Sequence, residues 1–106
     1  MNENVKIIDP SGGAETFVYK FTRGDTLASV GEKFHTTPVA LIAINGFVER
    51  PRVGQYAVIT RLKGNKYVVK PTDTLELICN YDADKIAELK RNNRIDYIFA
   101  GQVIFI

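Results

Sequence analysis

Chemistry in this chain has few residues to draw on. Of its 106 residues, one is a cysteine, Cys79, and one is a histidine, His35. A lone cysteine excludes an internal disulfide framework and a cysteine-based zinc site. A lone histidine removes most metal and triad chemistry. Hydrolysis would need placed carboxylates or a nucleophile beside a base, and the acidic residues here are assignable to caps and surfaces. What does recur at fixed spacing is a polar set. Asp25-Thr26-Leu27 returns as Asp73-Thr74-Leu75, and an asparagine, Asn45 or Asn93, stands twenty positions after each Asp. Such side chains can contact a polar ligand, or they can close helix ends and turns. Neither role transfers a proton or attacks a bond. No catalysis, cofactor or metal is expected.

The recurrence is wider than this set. At an offset of 48 positions Tyr19 meets Tyr67, Leu41 meets Leu89, and Val30 and Phe47 meet Ile78 and Ile95. One deletion in the second copy then brings Gly54-Gln55 onto Gly101-Gln102 and Ile59 onto Ile106. An ordered set of this kind signals an internal duplication. The copies run from about 17 to 61 and from about 66 to 106, joined by the short polar connector Leu62-Lys63-Gly64-Asn65. Residues 1–16 form a leader, read either as a tail or as an extra strand through Val5 to Ile8.

Composition bounds the function. Apolar residues make up 45% and charged residues 25%, which is ordinary for a globular chain. The net charge of +2 is too small to argue for nucleic acid. No apolar run is long enough to span a membrane. The opening MNENVKIIDPSGG lacks the apolar stretch of a secretory signal. The expected location is therefore the cytoplasm as made, unless the chain is a fragment or is released to a cell wall, spore or phage particle.

Each copy must position its polar set with four elements. Phe17-Val18-Tyr19-Lys20-Phe21 and Lys66-Tyr67-Val68-Val69-Lys70 alternate as strands do. Turns at Thr22-Arg23-Gly24 and Pro71-Thr72 follow, and Asp25 and Asp73 are placed to cap a helix, Glu76 completing a capping-box-like pattern in the second copy. Leu27, Val30 and Phe34 share one helical face, and Leu75 and Ile78 begin its counterpart. Thr37-Pro38 opens a second helix, and Asp82 or Asp84 does so in copy two. Asn45-Gly46 ends it, with Asn93-Arg94 as the weaker equivalent. Gly-Gln then leads into a last strand. The expected fold class is α+β: two tandem strand–helix–helix–strand modules, each a two-stranded antiparallel sheet with both helices on one face.

This order resembles the LysM (lysin motif) family. Tyr19 to Leu27, Leu41 to Gly46 and Val53-Gly54-Gln55 carry the resemblance in copy one; Tyr67 to Leu75, Leu89 to Asn93 and Ala100-Gly101-Gln102 carry it in copy two. Copy two departs at Thr72, Asn92, Arg94 and Asp82. The resemblance implies non-catalytic binding of glycans containing N-acetylglucosamine, either peptidoglycan or chitin-type oligosaccharide, in a shallow groove between two loops. Position by position, that groove would use Arg23, Gly24, Asp25, Thr26 and Leu27 against Asn45, Gly46, Phe47 and Val48. In copy two it would use Pro71, Thr72, Asp73, Thr74 and Leu75 against Asn93, Arg94, Ile95 and Asp96.

Each of these residues also has a structural reading. The aspartates are expected as caps, the asparagines as turn-formers bonding local backbone, and Leu27 and Leu75 as core. Phe47 is the best single candidate for ligand contact. Tyr97-Ile98-Phe99 reads as a strand lead-in packed on the core, or as an exposed contact surface. Lys90, Arg91 and Arg94 read as a solvated basic face, and Cys79 as a small buried hydrophobe. The competing function is a structural or protein-interaction module without sugar binding.

Overall fold

Alternation along the first strand decides where the core lies. Phe17 and Phe21 are buried and Tyr19 half-buried on one side, while Lys20 points to solvent. The structure, a computed structural model, describes residues 15–106; the choice between tail and strand for Val5 to Ile8 lies outside them. The elements follow in order: β1 (Thr16–Lys20), α1 (Leu27–Lys33), α2 (Pro38–Asn45), β2 (Tyr56–Thr60), β3 (Lys66–Val68), α3 (Leu75–Ile78), α4 (Ala83–Asn93) and β4 (Val103–Phe105). β1 pairs antiparallel with β2 in the register Val18↔Val58, and β3 with β4 in the register Tyr67↔Ile104. The chain divides into two compact units between Arg61 and Leu62. Each unit is a strand–helix–helix–strand module, as the repeat predicts.

Each module has its own core. In the first, Phe17, Phe21, Val30, Phe34, Leu41, Ala57 and Ile59 form the buried cluster. Edge-to-face contacts join Phe17 to Phe34 (5.1 Å) and Tyr19 to Phe34 (4.9 Å). In the second, Val69, Cys79, Leu89 and Ile104 are buried, with Tyr67, Leu75, Ile78, Ile86, Ile95 and Ile98 packed around them. Cys79 is thus core, and burial pushes its thiol pKa up.

The caps correct the sequence reading. Thr26 and Thr74, not the aspartates, sit at the N-cap, with Ser29 and Leu77 amides donating to their hydroxyls at 2.9 and 3.0 Å. Asp and Thr are both good caps, so an Asp-Thr pair is ambiguous until the neighbouring tyrosine is placed. The capping box belongs to copy one, where the Thr26 amide donates to Ser29 Oγ at 2.8 Å; Glu76 has no such part in copy two. Thr37 caps α2 with Pro38 in its first turn, and Asp82 caps α4 by accepting from Asp84 and Lys85 amides.

Copy two differs where Asp82 replaces Phe34. α3 stops at Ile78, Asn80 and Tyr81 turn left-handed with φ of 55° and 60°, and α4 begins at Ala83. The cap gained there costs the module an aromatic core residue. In copy one, Gly31 stands at the position of Cys79. A Cβ on Gly31 would lie 2.9 Å from the Thr36 carbonyl oxygen, so the corner between α1 and α2 requires glycine.

The asparagines bond local backbone, as expected, but also reach a distant strand. Asn45 Nδ2 donates to the Leu41 and Val58 carbonyls, both at 2.9 Å, and Asn45 Oδ1 accepts from the Val58 amide at 2.8 Å. Asn93 repeats this with Leu89 and Phe105 at 2.9, 2.9 and 2.8 Å. Each amide ties the end of a helix to the second strand of its sheet. Asn92, beside it, exchanges two bonds with the Lys63 backbone in the connector, at 3.0 and 2.8 Å.

Asn93 is 1% exposed, whereas Asn45 is half-buried. Asn93→Ala therefore leaves buried Phe105 backbone groups without partners and is expected to destabilise its module by about 2–4 kcal/mol. Asn45→Ala should cost less, because water can replace part of its bonding. Denaturant midpoints of the two variants, followed by module-specific amide signals, check this order.

Candidate functional site

The loop after β1 is held by a carboxylate beneath it. Asp25 Oδ2 accepts from the Tyr19 hydroxyl at 2.6 Å, the Thr22 amide at 2.8 Å and the Thr22 hydroxyl at 3.1 Å. Lys33 stands 3.9 Å from the other carboxylate oxygen and donates to the Tyr19 hydroxyl at 3.3 Å. Burial alone would raise the Asp25 pKa, but these bonds outweigh it and hold it below the ordinary 3.8. Asp73 repeats the arrangement with the Tyr67 hydroxyl and the Lys70 amide, and its pKa is likewise lowered, first by Tyr67. Tyr67 is raised in return by the same bond.

The turn above each carboxylate differs between copies. The Asp25 amide donates to the Thr22 carbonyl at 3.1 Å, and Gly24 at the third position has φ of 90°. That is the geometry of a type II turn, which favours glycine there. The Asp73 amide closes the same ring on Lys70 at 3.0 Å, but Thr72 keeps a negative φ and Pro71 precedes it. A type I turn accepts both residues.

The second loop is fixed at both ends. Gly46 ends α2 with φ of 68°, and Arg94 takes the same left-handed conformation at 59° at the end of α4. At the far end, Gly54 and Gly101 turn the chain with φ of 89° and 88°. The glutamine after each folds back: Gln55 Oε1 accepts from the Arg52 amide and Gln102 Oε1 from the Phe99 amide, both at 3.0 Å. The two loops meet at the strand ends. In module one the Phe21 amide donates to the Gln55 carbonyl at 2.9 Å and the Gly54 amide to the Phe21 carbonyl at 2.7 Å. In module two Val69 makes the equivalent pair with Gln102 and Gly101 at 2.9 and 2.8 Å.

The candidate residues now sort by what remains free. Asp25, Thr26 and Asn45 have their polar atoms engaged within the fold, as do Asp73, Thr74 and Asn93. Leu27 and Phe47 pack on the same core cluster, which places both loops on one base. Leu75 and Ile95 pack on the core of module two. Arg23, Gly24, Gly46, Pro71, Thr72, Arg94 and Asp96 are exposed, and Val48 is 96% exposed. A Cβ at Gly24 or Gly46 would meet no atom within 4 Å, so the backbone there is open to an approaching molecule.

A depression of about 430 Å³ lies beside this loop. Asn45 to Val48 line it, but none of Arg23 to Leu27 does. Glu49, Arg50, Arg52, Gln55 and Tyr56 complete it. Spacing does not point to Glu49, Arg50 or Arg52, whose charge run is their only mark in the sequence, and the repeated Gly-Gln pair marks Gln55 only as the lead into a strand. In module two, Ile98 packs on the core, whereas Tyr97 and Phe99 are 71% and 57% exposed, so only the middle residue of that run is a core lead-in. Among the described residues no helix is long and apolar enough to cross a membrane, and no group of three or more His, Cys, Asp or Glu could hold a metal.

The model of the LysM domain matches residues 19–56 and 67–106. Among solved structures the chain is similar to the spore cortex-lytic enzyme SleL of Bacillus cereus, at 27% identity, over 88% of this chain and 23% of that one, with a TM-score of 0.42. It is similar also to SleL of Bacillus megaterium QM B1551, at 22% identity, over 89% and 23%, with a TM-score of 0.41. The chain thus spans 23% of the length of these solved chains. No curated protein matches it.

The lowered carboxylates give an acid limb to stability. Their folded pKa lies below the unfolded value of about 4, so their contribution is complete above that value and is lost as pH falls through the folded one. Denaturant midpoints should decline as pH drops from about 5 toward 2. Asp25→Asn with Asp73→Asn should lower stability at neutral pH and flatten this decline. An unchanged acid limb would contradict the role given to these two groups.

Proposed function

The chain belongs to the LysM domain family, and from that membership we propose that it binds glycans containing N-acetylglucosamine without acting on them. Peptidoglycan is the preferred ligand and chitin the lesser one. The proposed sites are the paired loops of modules spanning 17–61 and 66–106, with Arg23 to Leu27 and Asn45 to Val48 in the first. Thr72 to Leu75 and Asn93 to Ile95 are the second set.

One observation carries the reading: the loops are held from within by hydrogen bonds, yet their upper surface is bare. Asp25, Thr26 and Asn45 spend their polar atoms on holding the loops in place. What faces outward is glycine backbone at Gly24 and Gly46 and the apolar side chain of Val48. An N-acetylglucosamine unit has an amide to pair with backbone groups and a methyl and ring face to lie on apolar ones. A preordered loop loses little entropy on binding. Such a site is shallow and weak alone; two linked sites gain by effective concentration where one glycan reaches both.

The first module is the stronger candidate. In the second, Arg94 stands where the first has open Gly46. A second reading, a protein-interaction module, is favoured there by the exposure of Leu77, Tyr81, Tyr97 and Phe99.

Val48→Asp tests the proposal cleanly, because a side chain this exposed contributes little to folding. Calorimetric titration with the N-acetylglucosamine tetramer should give an affinity lowered about tenfold, with the melting temperature unchanged. Phe47→Ala should lower both, since Phe47 also packs on the core. Wild-type affinity in Val48→Asp would overturn the site.

A further inference from the structure

The depression beside the second loop holds more charge than a neutral sugar requires. Arg50 and Arg52 both line it, separated by Pro51. Among the described residues neither guanidinium has an ion-pair or hydrogen-bond partner; only the Arg52 backbone is engaged, with Gln55. The contrast with other cations of the module is plain. Lys33 is paired with Asp25 and Tyr19, and Arg61 lies over the Phe17 ring at 5.2 Å. Lys20 adds a further positive charge near the rim, 5.9 Å from the centre of the Tyr56 ring. Glu49 is the one acidic group in the lining.

The second module lacks this feature. Arg52 and Phe99 are equivalent, since each donates its amide to the folded-back glutamine at 3.0 Å. Around Phe99 the loop reads Asp96-Tyr97-Ile98-Phe99, with no cation. The basic pair is therefore not a requirement of the fold.

We propose that the depression lined by Arg50 and Arg52 receives a carboxylate of the ligand, so that the first module prefers an acidic N-acetylglucosamine glycan to a neutral one. The inference rests on the glycan-binding reading and names the substrate class of that site. A guanidinium offers paired donors in a planar fork that matches a carboxylate. Peptidoglycan carries carboxylates on its peptide stems, and on its lactyl ethers where the stem has been removed, whereas chitin carries none. Asn45 to Val48 line the same depression, so a sugar on the loop would present its acidic substituent to the arginines. Glu49 opposes the preference by repulsion.

The test is a calorimetric titration of the full chain with three probes. These are the neutral N-acetylglucosamine tetramer, a peptide-free tetrasaccharide alternating N-acetylglucosamine with N-acetylmuramic acid, and the same tetrasaccharide with its carboxylates converted to amides. The acidic probe should bind about five- to tenfold tighter than its amide at low salt, with the advantage shrinking as salt rises. Arg50→Gln with Arg52→Gln should abolish that advantage and leave the neutral tetramer unaffected. Glu49→Gln should enlarge it. Equal binding of acidic and amidated probes, or an advantage that survives loss of both arginines, overturns this inference alone. Failure of all three probes to bind overturns the glycan reading, and this inference with it.

Discussion

A two-stranded sheet leaves each strand with an unpaired edge, and both modules meet that constraint with one side-chain amide. Asn45 presents a donor and an acceptor to Val58, as a neighbouring strand would, and Asn93 does so to Phe105. The same amides also bond the Leu41 and Leu89 carbonyls, which lie in the last helical turns. Those carbonyls lie just before the last four that a helix end leaves open, so each asparagine bonds back across the final turn. One residue therefore joins a helix end to a strand edge and sets the angle between them. Free strand edges are templates for unwanted pairing, and among the described residues neither sheet has a third strand to cover one.

From this clamp the loops follow. The residue after each asparagine must turn sharply away, and it does so in the left-handed region at Gly46 and Arg94. Glycine adopts that conformation freely, and arginine does so at some cost. The opposing loop is set by the second repeated device, the tyrosine hydroxyl on the aspartate carboxylate. Because the buried or half-buried polar atoms are used for these purposes, the loop surface offers only backbone, exposed apolar side chains and free charges, which are the groups the proposed glycan reading uses. That division explains how the fold can persist in the second copy while the loop chemistry changes.

Much of this was legible from residue order. The 48-position repeat from Tyr19 to Tyr67 and from Asn45 to Asn93 marks two copies of one fold. Thr37-Pro38 and Asn45-Gly46 mark helix ends by local rules, and both act as such. Other features need a partner distant in sequence. The local partners of Asn45 and Asn93, four residues earlier, fit a turn-forming role, but their strand partners lie 13 and 12 residues further on, where a local reading does not reach. The choice between Asp25 and Thr26 as cap depends on a tyrosine hydroxyl six residues earlier. The depression at Arg50 and Arg52 arises from the path of an irregular loop, which periodicity does not describe. Asn80 hints at a left-handed turn, but Tyr81 beside it gives no such signal, and so the shortening of α3 is hidden.

The central claim is that the first module's loops are the recognition surface and that Asp25, Thr26 and Asn45, whose polar atoms are engaged within the fold, only support them. Amide chemical-shift mapping of the whole chain during titration with N-acetylglucosamine oligomers tests this most directly. The account predicts that the largest shifts cluster at Arg23 to Leu27 and Asn45 to Val48, with smaller ones at Thr72 to Leu75 and Asn93 to Ile95. Shifts confined to the second module, or none at millimolar ligand, would contradict it.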